Sequence, residues 1–204
     1  MQLLLIRHAL PERILTADSP AGADPGLTPQ GHTQAARLPA ALTAYPVSAI
    51  VSSPQRRALE TAEPLARALG LAVTPDTGLA EYDHGRSDYI PIHEAKEVAP
   101  EAYARILAGH LPDFVDETTF RTRVLDGIAR VIAAADHEDT VAVFAHGGVI
   151  NVYLQHLLGL DRPLAFPIDY ASVTRILVSR TGRARPASVN ETGHVRDLLV
   201  RHRP

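Results

Sequence analysis

The chain has 204 residues, 46% of them apolar and 21% charged, with a formal net charge of −3. That size and apolar share suit one globular domain with a substantial core, and the charge balance excludes both a disordered chain and the basic stripe that binding a nucleic acid would need. With no cysteine, disulfides, thiolate metal sites and cysteine nucleophiles are ruled out, which fits a cytoplasmic location.

Met1 to Ile6 is apolar but meets Arg7 and His8 at once, too early for a signal-peptide core, and no apolar run reaches the roughly 20 residues of a membrane helix. No secretory leader and no membrane association are therefore expected. Leu3 to Ile6 reads as a strand buried on both faces. Asp18 to Thr28, rich in Pro, Gly and Asp, reads as a surface loop. Thr28-Pro29 is an N-cap followed by a first-turn proline, opening a helix to about Ala44 that buries Ala35, Leu38 and Leu42. Ala49 to Ser52 is a second strand. Pro54 then opens a helix through about Leu69, closed by Gly70. Leu71 to Thr74 is a third strand.

Residues 82–118 are less regular and hold Gly85, Pro91 and Pro100. Short helices are expected near His93–Val98 and Glu101–Leu107, in an insertion that caps the sheet edge. Phe120 to Ala135 carries Phe120, Val124, Ile128 and Val131 at core-facing helical spacing. Thr140 to Ala145 is a buried strand, Val149 to Leu158 a helix, and Val173–Ser179 and Arg185–Asn190 closing strands. Strands alternating with helices predict an α/β fold, a three-layer α/β/α sandwich with a mostly parallel central sheet and a helical cap insertion, forming one domain over 1–204.

Four features carry chemistry. Arg7-His8 lies just past the first strand, at the sheet edge where open α/β sheets bind ligands. His146-Gly147-Gly148 follows the buried strand at Thr140 to Ala145. It joins a second strand-end histidine to a helix N-terminus whose unpaired N–H groups suit an anion. Ser52-Ser53-Pro54-Gln55-Arg56-Arg57 follows the second strand and places an arginine in the first helical turn. Glu81 follows the third strand. Singly, each has an ordinary explanation: a capped strand end, a tight turn, a solvated arginine, a surface acid. Jointly they bring two imidazoles, two guanidiniums and a carboxylate to one edge. Phosphoryl transfer needs an in-line nucleophile and positive charge on the equatorial oxygens. Neutral imidazole is a competent nucleophile near pH 7. Arg7, Arg57 and His146 could hold the phosphoryl oxygens. Glu81 could protonate the leaving oxygen if burial raises its pKa.

The chain resembles the histidine phosphatase superfamily, also called the phosphoglycerate mutase-like family. The matching pieces are Leu5-Ile6-Arg7-His8-Ala9, Leu27-Thr28-Pro29-Gln30-Gly31 with Gln34-Ala35, and Ser52-Ser53-Pro54 with Arg57-Ala58 and Thr61-Ala62. Glu81, Phe144 to Ile150 around His146, and Asn190 to Val195 complete the set. The resemblance implies that His8 is the phosphorylated nucleophile, that Arg7, Arg57 and His146 complete the phosphate pocket, and that Glu81 is the proton donor. It also implies that Gly147 lends pocket backbone and that neither a metal nor another cofactor is used.

Two departures from the family's mutases point to hydrolysis. The mutase run after Arg-His-Gly places an Asn where this chain has Ile14. The stretch Ser87 to Thr118 holds only Lys96 and Arg105 as full positive charges against seven acidic residues, which would hold a bisphosphorylated primer poorly. The expected activity is thus a metal-independent phosphomonoesterase acting through phosphohistidine on a small phosphorylated metabolite. The alternatives are a cofactor-dependent phosphoglycerate mutase and a non-catalytic phosphate-binding module. Substrate contacts beyond the phosphate are expected from Glu12, Arg13, Tyr82, His84, Arg86 and Tyr89. A metal hydrolase is disfavoured by the scattering of the remaining histidines. The sequence carries no signal for an oligomeric state.

Overall fold

In a strand, successive side chains point to opposite faces, so an unbroken apolar run needs cover on both. The computed structural model, which describes residues 1–15 and 22–199, supplies that cover. In β1 (Gln2–Arg7), Leu3 and Leu5 point to one face and Leu4 and Ile6 to the other, all buried. β4 (Thr140–Ala145) is buried along its whole length and divides likewise, with Val141, Val143 and Ala145 opposite Ala142 and Phe144.

One face packs against α6 (Glu117–Ala133) through Phe120, Val124, Ile128 and Val131. It also meets α7 (Gly147–Leu158) through Val149, Ile150 and Leu154. The other packs against α2 (Leu38–Ala41) and α3 (Arg56–Leu69) through Leu38, Leu42, Ala62 and Leu65. α1 (Pro29–Ala36) lies beside α3. The result is the expected three-layer α/β/α arrangement.

Among the described residues the sheet has the order β3-β2-β4-β1-β5-β6. β2 (Val47–Ser52), β3 (Val73–Pro75), β4 and β1 run parallel, whereas β5 (Val173–Val178) runs antiparallel to β1, and β6 (Ala184–Glu191) antiparallel to β5. Two facts of register position the site. Arg7 pairs with Ala145, so His8 and His146 leave adjacent strands at the same level. Because β5 runs backwards, its beginning lies at that same edge, beside Ile6.

Several boundaries differ from the sequence reading. The helix expected to run to Ala44 breaks at Arg37, and Pro39, which has no N–H to give, sits in the first turn of the short α2. α3 begins at Arg56 rather than Pro54, because Pro54 lies in the turn that precedes the N-cap Gln55. β3 begins two residues later than expected and ends one residue later. α6 starts three residues before Phe120 because the Asp116 carboxylate caps it, accepting from Thr119 N–H at 2.8 Å. α7 begins at Gly147, directly after His146. The loop expected over Asp18 to Thr28 lies partly outside the described residues. Its remainder is irregular, but Ala23 and Leu27 are buried, not at the surface: Leu27 bridges to Pro11, and Ala23 N–H donates to the Arg86 carbonyl.

Within residues 82–118, α4 (Ile92–Val98) and α5 (Pro100–Leu107) match the expected short helices. A bridge from Tyr89 to Ile14 ties this segment to the loop after β1. No helix among the described residues is long and apolar enough to cross a membrane.

Candidate active site

His8 stands directly after β1, and its loop is clamped from two helices. Ala9 N–H donates to the Thr61 hydroxyl on α3 (2.9 Å), and Leu10 N–H to the Gln34 side-chain carbonyl on α1 (2.9 Å). The Thr28 hydroxyl caps α1 by accepting from Gly31 N–H, and Gly31 fits because a Cβ there would strike the Leu10 carbonyl. The motif pieces at 27–35 and 57–62 therefore hold the loop that carries His8.

The His8 ring is buried, and Nδ1 lies 2.8 Å from the Ala9 carbonyl. A carbonyl only accepts, so Nδ1 carries the proton and Nε2 keeps its lone pair. Burial, with Arg57 and Arg7 nearby, pushes the His8 pKa well below its ordinary value, so the ring is neutral at pH 7. The His146 ring lies 5.1 Å from it, centroid to centroid, tilted by 56°. Burial, then the charge of Arg57, depresses its pKa as well. His146 Nε2 is 2.8 Å from the Ser53 hydroxyl, which in turn accepts from Gln55 N–H.

Arg57, in the first turn of α3, is fully buried, with its guanidinium 4.5 Å from the centre of the Tyr89 ring. Desolvation opposes its charge, but Asp83, Tyr89 and Glu81 more than offset that, and its pKa is raised. Arg7 lies over the Tyr170 ring at 3.9 Å, and its Nη1 donates to the Ile168 carbonyl. Four side-chain nitrogens in this cluster are buried and have no hydrogen-bond partner: Arg7 Nε, Arg57 Nε and Arg57 Nη1, which are donors in every protonation state, and His146 Nδ1. A buried donor left unpaired costs about 1–3 kcal/mol, so this concentration around the His8 ring marks a place for an acceptor.

Glu81 is buried beside them. One carboxylate oxygen accepts from Gly148 N–H at the start of α7 (2.8 Å), the other from Tyr82 N–H (3.0 Å). Burial is the main cause that moves its pKa up to about 7, with the negative charge of Asp83 second, against those two N–H groups and Arg57.

Of the expected site residues, His8, His146, Arg7, Arg57 and Glu81 converge. Gly147 lies against Arg7, but the tighter constraint falls on Gly148, where a Cβ would land on Glu81 Oε1. Tyr89 is the wall behind Arg57. Tyr82 packs edge-on against Phe120 of α6 (5.8 Å). Glu12 and Arg13 line a cleft of about 330 Å³ together with Thr28, His93 and Glu94, and Arg13 pairs with Glu94 at 2.7 Å. Arg86 stacks on Phe114 and pairs with Asp88, while His84 is exposed.

Sequence reasoning passed over Asp83, Gln55, Ser53 and Tyr170. Asp83 binds Arg57 Nη2 through both its oxygens, at 2.8 and 2.9 Å. A second acid two residues from Glu81 was a signal available for it. Tyr170 precedes an antiparallel strand, whereas the chemical motifs of the sequence all lie at the exit ends of parallel strands.

A profile of the histidine phosphatase superfamily (branch 1) matches residues 3–192. The chain is 30% identical over 200 residues to the bifunctional protein Rv2228c of Mycobacterium tuberculosis, covering 95% of this chain and 55% of that protein. It thus spans about half the length of the first curated relatives it matches. It is 27% identical over 205 residues to phosphoserine phosphatase 1 of Hydrogenobacter thermophilus, covering 98% and 97% of the two chains. Among solved structures, it is similar to a mycobacterial glucosyl-3-phosphoglycerate phosphatase in complex with VO3. That match has a TM-score of 0.75 and 26% identity, covering 93% of this chain and 98% of the other.

Proposed function

The chain belongs to the histidine phosphatase superfamily, and on that premise we propose that it is a metal-independent phosphomonoesterase for a small phosphorylated metabolite, working through phosphohistidine at His8. The observation that carries this proposal is the set of four unpartnered buried nitrogens, three of them arginine donors, around a neutral imidazole whose free nitrogen is Nε2.

In the first half-reaction His8 Nε2 attacks phosphorus and the bond to the ester oxygen breaks. Arg7, Arg57 and His146 stabilise the three equatorial oxygens. The Ser53 hydroxyl donates to His146 Nε2, which leaves the proton of the neutral ring on Nδ1, the buried nitrogen without a partner. The leaving alkoxide takes the proton of Glu81, which a pKa of about 7 leaves on about half of the molecules at neutral pH. In the second half-reaction the Glu81 carboxylate takes a proton from water, the resulting hydroxide attacks phosphorus, and the P–N bond to His8 breaks. Phosphate leaves and both residues return to their starting states.

The relatives whose names specify phosphoserine or glucosyl-3-phosphoglycerate support a small phosphorylated metabolite as the substrate. We read residues 82–118 as a cap over the leaving group, with Glu12, Arg13, His84 and Arg86 as its candidate contacts. The acidic excess of that segment favours water over a second phosphorylated molecule as the acceptor.

An aryl phosphate assay with excess chelator tests the core of the proposal. Chelator-resistant turnover, micromolar inhibition by vanadate and an acid-labile, alkali-stable phosphoryl label on the protein are expected. Loss of turnover on chelation would overturn the metal-independent mechanism.

A further inference from the structure

Arg57 serves the equatorial oxygens and Glu81 the leaving oxygen in the proposed mechanism, and one chain of hydrogen bonds joins them. Arg57 Nη2 donates to both oxygens of Asp83. Asp83 Oδ1 also accepts from Gln55 Nε2 at 2.9 Å. The Gln55 side-chain carbonyl then accepts from Glu81 N–H at 2.6 Å. Gln55 is itself buried at the N-cap of α3, so its amide cannot turn toward water instead.

Resting on the mechanism above, we propose that Asp83, joined to Gln55, is a positioning residue for both half-sites: it aims Arg57 and sets a fixed negative charge beside Glu81. The geometry shows how one carboxylate does both. Asp83 engages only Nη2, so the guanidinium is anchored at one end while Nε and Nη1 stay available for an oxyanion. A carboxylate that bridged Nε and Nη2 would have occupied the Nε donor as well and left only Nη1.

The charged and titratable groups facing Glu81 give the direction of the second effect. Arg57 faces it from α3. Arg123 of α6 lies near it, bonded to the carbonyls of Thr77, Gly78 and Ala80. The N-terminus of α7 contributes Gly148 N–H, and its own loop contributes Tyr82 and Asp83. Both arginines and the helix N-terminus favour the ionised carboxylate, and Asp83 is the formal negative charge set against them. Removing that charge should let Glu81 ionise at lower pH.

The test is kcat/KM against pH for an alkyl and an aryl phosphate, in wild type, Asp83→Asn and Asp83→Glu. The alkyl ester needs the Glu81 proton, and the aryl ester has a leaving group good enough to depart without it. Asp83→Asn should move the alkaline limb of the alkyl profile down by roughly one pH unit, a loss of about tenfold above the limb. The shape of the aryl profile should stay as in wild type, and Asp83→Glu should return the alkyl limb toward its original position. A limb that stays in place in Asp83→Asn, or moves up, overturns the inference while leaving the mechanism intact. A wild-type alkyl profile with no alkaline limb at all would overturn the Glu81 assignment and this inference with it.

Discussion

On the phosphate side of the site, the cations are sunk among rings and keep N–H groups in reserve: Arg57 is fully buried behind Tyr89 and Arg7 lies over Tyr170. On the other side, Arg13, Arg86 and Arg105 sit near the surface, each paired with an acid: Glu94, Asp88 and Asp113. A buried cation with unpaired donors destabilises the fold unless a ligand completes it, so selection for function explains it better than selection for stability. A surface ion pair contributes about 0–1 kcal/mol and can be exchanged at little cost. Under the proposed mechanism the buried groups at the sheet edge carry the reaction, and the 82–118 segment is free to select the substrate.

That contrast can be broken at several points. The largest effect is expected for His8→Ala, which should lose roughly 10⁴-fold or more in kcat and abolish the phosphoryl label. Wild-type labelling in this variant would place the nucleophile elsewhere. Arg57→Lys keeps the charge but loses the planar fork and should cost about 10²–10³-fold, read as kcat on an aryl phosphate. Gly148→Ala presses on the Glu81 carboxylate and should slow alkyl phosphates by up to about 10²-fold, with aryl phosphates slowed much less. Equal slowing of both would remove Glu81 from the acid role.

The pH dependence sharpens the same contrast. Glu81 must be protonated to donate, and its raised pKa makes kcat/KM for alkyl phosphates fall above about pH 7. His8 must be neutral to attack, and its depressed pKa puts the acid limb well below 6.5. Smallest of all, Glu94→Ala should leave thermal stability within about 0.5 kcal/mol and aryl phosphate kcat within about twofold. A change in KM confined to particular esters would mark the Arg13–Glu94 cleft as the part that chooses substrate.

Much of the frame was open to inspection in the amino-acid order. The two-sided burial of β1 and β4, the caps at Thr28 and Gly70, and the strand-end positions of His8, His146 and Arg57 all rest on unbroken apolar runs, short-range periodicity and Gly and Pro chemistry. Asp83, Gln55 and Ser53 were missed because each acts on a partner 26 to 93 positions away. Nothing in the local pattern around Gln55 distinguishes it from any polar residue at a helix start. Tyr170 was missed for a topological reason, since only the antiparallel course of β5 brings it under Arg7.

The sequence by itself determined the kinds of groups at the sheet edge and the order in which strands deliver them, because backbone preferences and apolar spacing are local properties. The tertiary structure decided which N–H groups lie buried without a partner, where the His8 proton sits and why Glu81 holds its own near neutral pH. Desolvation and charge are sums over every neighbour, and those neighbours come from elements far apart along the chain.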